Sequence, residues 1–199
     1  MTPDECQEAV ELAVAALAGV GAEDWSRRAG TLEWSCWQTV DHVVDCVFSY
    51  VLQIAARAEA GFLPFQELHA EPEARPDDLI AALRATTTMF LAVVRTSPPH
   101  TRASDGVAML SLSDWCARAS HEVLVHTHDT VSTFDRALVV PDHLCRAIWS
   151  CEAVWMLDRH ASPPRCPPWP ALLVASGRPH PVPPAASDRP GTSGTGPQD

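Results

Sequence analysis

The chain has 199 residues, 46% of them hydrophobic, and a formal net charge of −11 at pH 7. This length and composition predict one folded domain with a sizeable core, and the acidic balance excludes a general phosphate-binding surface for nucleic acid. No apolar run reaches the roughly 20 residues of a membrane span, and the acidic N-terminus lacks the basic region of a signal peptide, so we expect a soluble, cytoplasmic protein without a membrane partner.

The first two helices are predicted from their caps and their apolar spacing. Thr2 can cap a helix that Pro3 begins, Glu5 closes a capping box, and the helix is expected to end near Gly19. Residues 39–60 carry an apolar stripe at helical spacing, and Gly61 is expected to end this second helix. A polar stripe runs beside the apolar one: His42, Asp45, Cys46, Ser49 and Gln53. A solvent-exposed helix face more often carries Glu, Arg or Lys, so this composition indicates a face that borders a functional site.

Three more helices follow in the sequence. A loop over 62–76 precedes a third helix that begins at Asp77 and ends before the Pro98–Pro99 pair. A fourth helix is capped by Ser111 or Ser113 and is predicted to run to about Leu138, and a fifth is predicted over about 141–159. No segment shows the alternating pattern of a strand.

The C-terminal part changes in composition. An isolated apolar patch occurs near Trp169, and the residues beyond it are rich in Pro, Gly and Ser. Such a segment has almost nothing to bury. We therefore predict an all-α fold, most simply a four-helix bundle with one additional C-terminal helix over residues 1–178, followed by a disordered tail over 179–199.

The fourth helix carries the residues with the clearest chemistry. Glu122 and His126 are four apart and Asp129 is three further on, so a helix places all three on one face. The carboxylate and the imidazole can bind one divalent cation together, and Asp129 can orient the imidazole. His121 precedes Glu122, but it lies five residues from His126 and diverges around the helix, so the metalloprotease motif H-E-x-x-H is excluded. We expect His121 at the surface.

A third ligand has to come from another helix. His42 on the second helix would complete a His₂Glu set that leaves coordination positions open, which is typical of a catalytic rather than a structural site. The alternative from spacing alone is that Glu122 and His126 form an ordinary ion pair and that His42 is a core histidine.

Three segments resemble a known family: LEWSCWQTVDHVVD (32–45), HEVLVHTHD (121–129) and PWPALLVASGR (168–178). They are similar to the actinobacterial branch of the DinB-like superfamily, and within it to the metal-binding domain of mycothiol-dependent maleylpyruvate isomerase. The resemblance implies a four-helix bundle holding a divalent metal, usually zinc, through His42, Glu122 and His126. It also implies that the open positions bind a low-molecular-weight thiol as thiolate, which then reacts with an electrophile.

The chain departs from this family pattern in two places. Many relatives carry the first histidine further into the helix, and aligning that pattern here places Cys46 at the ligand position, so Cys46 is the alternative to His42. The isomerase also has a second domain that contributes to its substrate site, whereas this sequence continues into the Pro/Gly/Ser-rich segment.

The sequence therefore predicts a zinc-binding bundle that acts as a mycothiol-dependent transferase or isomerase, with a small-molecule thiol and an electrophile as partners. A second reading is a non-catalytic module that binds a metal or sequesters a small molecule. A third is a structural or homodimerising bundle whose site is degenerate.

Overall fold

The computed structural model describes residues 1–64, 67–151 and 168–179. In chain order its elements are α1 (Pro3–Ala18), α2 (Cys36–Ala56), α3 (Pro76–Thr96), β1 (Arg102–Ser104), β2 (Met109–Ser111), α4 (Leu112–Ser132), α5 (Asp142–Trp149) and α6 (Pro168–Ala175). The prediction of an all-α bundle is confirmed, with a small two-stranded sheet added.

Four long helices enclose the core. α1 packs against α3 and α4, and α2 packs against the same two helices, so α1 and α2 occupy opposite corners of the bundle. The largest fully buried side chains include Trp115, Phe90, Leu17 and Ile54. This arrangement brings the inner faces of α2 and α4 together.

Capping side chains explain where these helices begin. Thr2 and Glu5 form the predicted capping box of α1. Ser35 and Gln38 form another, which starts α2 at Cys36, three residues before the predicted start. α2 also ends earlier than expected, at Ala56, because Arg57 adopts a left-handed conformation with a φ of 49° and its N–H bonds to Gln53 and Ile54 carbonyls.

A hairpin absent from the sequence prediction precedes α4. Its strands pair antiparallel, with Ala103 opposite Leu110. Asp105 Oδ1 accepts hydrogen bonds from the backbone N–H groups of Val107 and Ala108, which closes the turn. Strands of three residues are too short to show an alternating pattern, and this accounts for the difference.

The C-terminal elements differ from the predicted ones. α4 ends at Ser132 rather than near Leu138, because the hydroxyls of Ser132 and Thr133 bond to the Asp129 carbonyl and Asp135 has a positive φ. α5 ends at Trp149, earlier than the predicted 159, because the N–H of Ser150 closes it on the Arg146 and Ile148 carbonyls. The rest of the predicted helix, 152–159, lies outside the described residues. The apolar patch forms α6, an unpredicted helix. The predicted tail, apart from its first residue, also lies outside the described part.

Two helices, α2 and α3, are long and apolar enough to span a membrane by length and composition. Of the most apolar 18-residue stretch of each helix, 56% is buried in the bundle for α2 and 44% for α3. The buried side chains of α2 include the polar residues Asp41 and Gln53. These are the properties of core helices in a helical bundle.

Candidate metal centre

The inner face of α4 holds Glu122, His126 and Asp129 in a row, and all three side chains are largely buried. His126 Nε2 lies 3.4 Å from Glu122 Oε2, and His126 Nδ1 lies 3.3 Å from Asp129 Oδ2. Both distances are slightly longer than an ordinary hydrogen bond, so His126 Nδ1 lies close to Asp129 without forming a hydrogen bond of normal length. The ring therefore faces one carboxylate with each nitrogen, as the helical spacing predicted.

His42 reaches the same place from α2. Its ring meets the ring of His126 edge-on, with centroids 5.4 Å apart, and the ring of Trp34 lies 4.8 Å from it, tilted by 54°. One ligand atom each from His42, Glu122 and His126 lie within 4.8 Å of one another. The three predicted residues are thus brought together.

The donor set fits a divalent cation. Two imidazoles and one carboxylate are typical ligands of catalytic zinc. Bonds of about 2.1 Å in tetrahedral geometry separate ligand atoms by roughly 3.4 Å, so the widest pair, at 4.8 Å, would have to approach by about 1.4 Å. Because His126 Nδ1 faces Asp129, its Nε2 is the nitrogen directed at the cluster. Glu122 and His126, 3.4 Å apart, already meet this tetrahedral separation, but not every pair in the set does.

Cys46, the alternative ligand, lies one turn beyond His42. Its Sγ is 3.4 Å from His42 Nε2. Within the part of the chain that the structure describes, the group that can hold a cation contains His42 and not Cys46. Burial, followed by the negative charges of Glu122 and Asp45, raises the pKa of the Cys46 thiol far above its ordinary value. Cys46 is therefore a neutral thiol at the edge of the cluster.

The titration properties of the three residues differ. Burial and the neighbouring charge of His126 lower the pKa of His42, so its ring is neutral and its lone pair available. Burial lowers the pKa of His126, but Asp129 and Glu122 raise it more, and the net shift is upward. Burial raises the pKa of Glu122, but His126 lowers it more, and the carboxylate stays ionised. Asp129 is already paired with Arg178, so without a cation a proton on His126 balances the charge of Glu122.

A cavity of about 450 Å³ opens beside the cluster. Arg118 lines it and forms a buried ion pair with Asp105 of the hairpin, while its Nε donates to Tyr50 Oη at 3.3 Å. The apolar part of the wall consists of Leu32, Trp34, Phe62 and Val125. Sequence reasoning assigned no role to Tyr50 or Arg118, although Tyr50 lies four residues after Cys46 and Arg118 four before Glu122, on the same helix faces.

The expectation that His121 lies at the surface is wrong. Its side chain is buried and lines the cavity, and its Nε2 lies 2.9 Å from Ser176 Oγ. Burial lowers the pKa of His121 to about 4. The physical reason is that the segment after α6 covers this face of α4, a contact between residues 55 positions apart that local spacing cannot indicate.

The comparisons with known proteins place the chain by sequence. The family model described as the DinB superfamily matches residues 5–129. No curated protein and no solved structure gives a match. The matched range contains His42, Glu122, His126 and Asp129, and it ends before α5 and α6.

Proposed function

Because the chain belongs to the DinB superfamily, we propose that it binds one divalent cation, zinc in the first place, through His42, Glu122 and His126. We propose further that it acts as a thiol-dependent transferase or isomerase that uses a low-molecular-weight thiol such as mycothiol. The observation that supports this is the approach of three ligand atoms to within 4.8 Å beside a cavity.

The charges around the site favour an anionic ligand. The Arg118–Asp105 and Arg178–Asp129 pairs are each neutral overall. Two neutral imidazoles and the Glu122 carboxylate then balance only one of the two charges of a divalent cation. An uncompensated charge is costly in a buried site, so a thiolate, which supplies the remaining negative charge, would be stabilised there. A divalent cation lowers the pKa of a bound thiol and holds it as the nucleophilic thiolate.

The chain's own residues shape the space next to the ligands. A volume of about 450 Å³ lies in the ordinary range for small-molecule sites. Leu32, Trp34 and Phe62 provide an apolar wall that limits water near a reactive thiolate. Because the Cys46 thiol stays protonated, it does not compete as a thiolate with an external thiol for the cation.

The first experiment measures the cation. Wild-type protein purified without chelators is expected to contain about one equivalent of zinc or a similar cation, and His126→Ala is expected to lose it while far-ultraviolet circular dichroism stays unchanged. His143→Ala is the matched control, because His143 is half-exposed and pairs with Glu8 at 3.0 Å. Absence of metal from wild type, together with no uptake of added zinc or cobalt, would refute the proposal.

The second experiment tests the thiol. With cobalt in the site, addition of mycothiol should produce a thiolate-to-metal charge-transfer band in the near ultraviolet. Glu122→Gln removes the negative charge among the three ligands and should alter that response. If no thiol changes the cobalt spectrum, the transferase or isomerase mechanism is excluded.

A non-catalytic metal-binding or sequestering module is the second candidate. It is favoured by one observation: Arg118, His121 and Arg178, which line the cavity, already have protein partners. Turnover of an electrophile by the thiol-loaded protein supports the enzyme, and binding of thiol without any turnover supports the module.

A further inference from the structure

Asp129 is held by an arginine that follows α6. Arg178 Nε donates to Asp129 Oδ1 at 3.1 Å, and Arg178 Nη2 donates to Oδ2 at 2.6 Å. This is the paired geometry in which guanidinium and carboxylate bind most strongly. The Asp129 side chain is 2% exposed and that of Arg178 is 15% exposed, so water screens the pair only weakly.

The local structure after α6 explains why Arg178 points at α4. Leu172 and Leu173 are fully buried and anchor α6 on the bundle. Gly177 has a φ of +77°, the left-handed conformation that commonly ends a helix, and the N–H of Arg178 then bonds to the Leu173 carbonyl. Arg178 Nη1 also donates to the Ser176 carbonyl at 2.6 Å. Backbone and side chain of Arg178 are therefore both fixed.

The contacts form a continuous series from Arg178 to the cation ligands. Oδ2 of Asp129, which accepts from Arg178, also lies 3.3 Å from His126 Nδ1. The other nitrogen of His126 faces Glu122. A carboxylate that orients a ligating imidazole can do so only if its own rotation is restricted, and Arg178 restricts it with two hydrogen bonds.

We propose that Arg178 is a positioning residue for the cation site: by holding the Asp129 carboxylate it fixes the ring orientation of His126. This inference rests on the proposed metal site. Arg178 lies outside residues 5–129, so the segment after α6 completes a site whose ligands all lie within the family match.

The main test measures cation affinity in two variants and a control. Arg178→Gln removes both the charge and the paired geometry, Arg178→Lys keeps the charge alone, and Arg146→Gln removes an exposed arginine paired with Asp142. Loss of an outer partner of a metal-bound histidine lowers metal affinity by about 10–100-fold. Arg178 acts one contact further out, through Asp129, so we expect a loss of zinc affinity at the lower end of this range, about tenfold, for Arg178→Gln. We expect a smaller loss for Arg178→Lys, none for Arg146→Gln, and altered visible bands of bound cobalt in both Arg178 variants.

A double-variant comparison separates positioning from a general structural effect. If Arg178 acts through Asp129, Arg178→Gln should weaken zinc binding much less in an Asp129→Asn background than in wild type. An equal loss in both backgrounds, or wild-type affinity in folded Arg178→Gln, overturns the inference. Should Arg178→Gln fail to fold, Arg178→Lys carries the same comparison.

A measurement without metal distinguishes this inference from the proposed function. In the metal-free protein, the ¹⁵N shifts of the His126 ring should change on Arg178→Gln and not on Arg146→Gln. If wild type binds neither zinc nor cobalt, the proposed function fails, but a His126 shift still supports the series from Arg178 through Asp129. Unchanged His126 shifts in folded Arg178→Gln overturn that series.

Discussion

The ion pair beneath the cavity allows a quantitative prediction. Asp105 and Arg118 expose 1% and 9% of their side chains, and Asp105 Oδ1 also holds the hairpin turn. Asp105→Asn keeps an oxygen for the turn but removes the charge that balances Arg118. Removing one partner of a buried ion pair costs about 3–5 kcal/mol. Tyr50 Oη and the charge of Glu122 remain near the guanidinium, so we expect a loss at the lower end, about 3 kcal/mol.

The control is Asp142→Asn, which removes the carboxylate of the exposed Asp142–Arg146 pair. An exposed pair contributes less than about 1 kcal/mol, whereas a loss of about 3 kcal/mol in a protein of this size lowers Tm by roughly 6–12 °C. Urea unfolding with excess chelator, followed by circular dichroism and tryptophan fluorescence, measures the difference without a contribution from bound cation. If Asp105→Asn costs no more than Asp142→Asn, the description of Arg118 as a buried cation balanced by Asp105 is wrong.

The remaining predictions concern the ligands and their support. Zinc affinity should rise about tenfold per pH unit below the pKa of His126 and level off above it. The reason is that the pKa of His126 is raised, so a proton competes with the cation for the ring. Isothermal titration at several pH values measures this dependence. Cys46→Ser should keep zinc affinity and His42→Ala should lose it, because the cluster within 4.8 Å contains His42; the reverse order in a chelator competition would transfer the ligand role to Cys46. Gly30→Ala should destabilise the protein by about 1 kcal/mol, because Gly30 has a φ of 51° where it packs on Asp129. An unchanged midpoint in urea unfolding would contradict this.

The local part of the site was predictable from sequence, because a helix of known period places Glu122, His126 and Asp129 on one face. His42 could be proposed as the third ligand from its place on the polar stripe of α2, but the spacing of α2 does not show which residue of α4 it faces. The family resemblance was needed to favour the ligand over a core histidine. The hairpin was missed for lack of strand length. α6 was missed because Pro168 and Pro170 indicate a loop, although both fall in the first turn, where backbone N–H groups have no helical partner.

Arg178 marks the limit of local reasoning. It lies 49 residues from Asp129 along the chain, and its own surroundings, Ser176 and Gly177, indicate only the end of a helix. His121 was misplaced for the same reason, since its burial depends on Ser176. Both residues acquire their environment from the segment that follows α6, and no spacing within α4 contains that information.

The distribution of charge explains how one bundle can hold so many ionisable groups next to a cavity. Arg118 and Arg178 each lie against a buried carboxylate, so neither pair adds a net charge to the site. Glu122 is then the carboxylate whose charge faces the imidazoles of His42 and His126 directly. In the metal-free protein, the raised pKa of His126 lets a proton balance that charge, and a cation binding there would replace the proton. A proton and a cation therefore compete for the same position, and a substitution of His126 changes both the charge balance of the metal-free protein and the pH dependence of cation affinity.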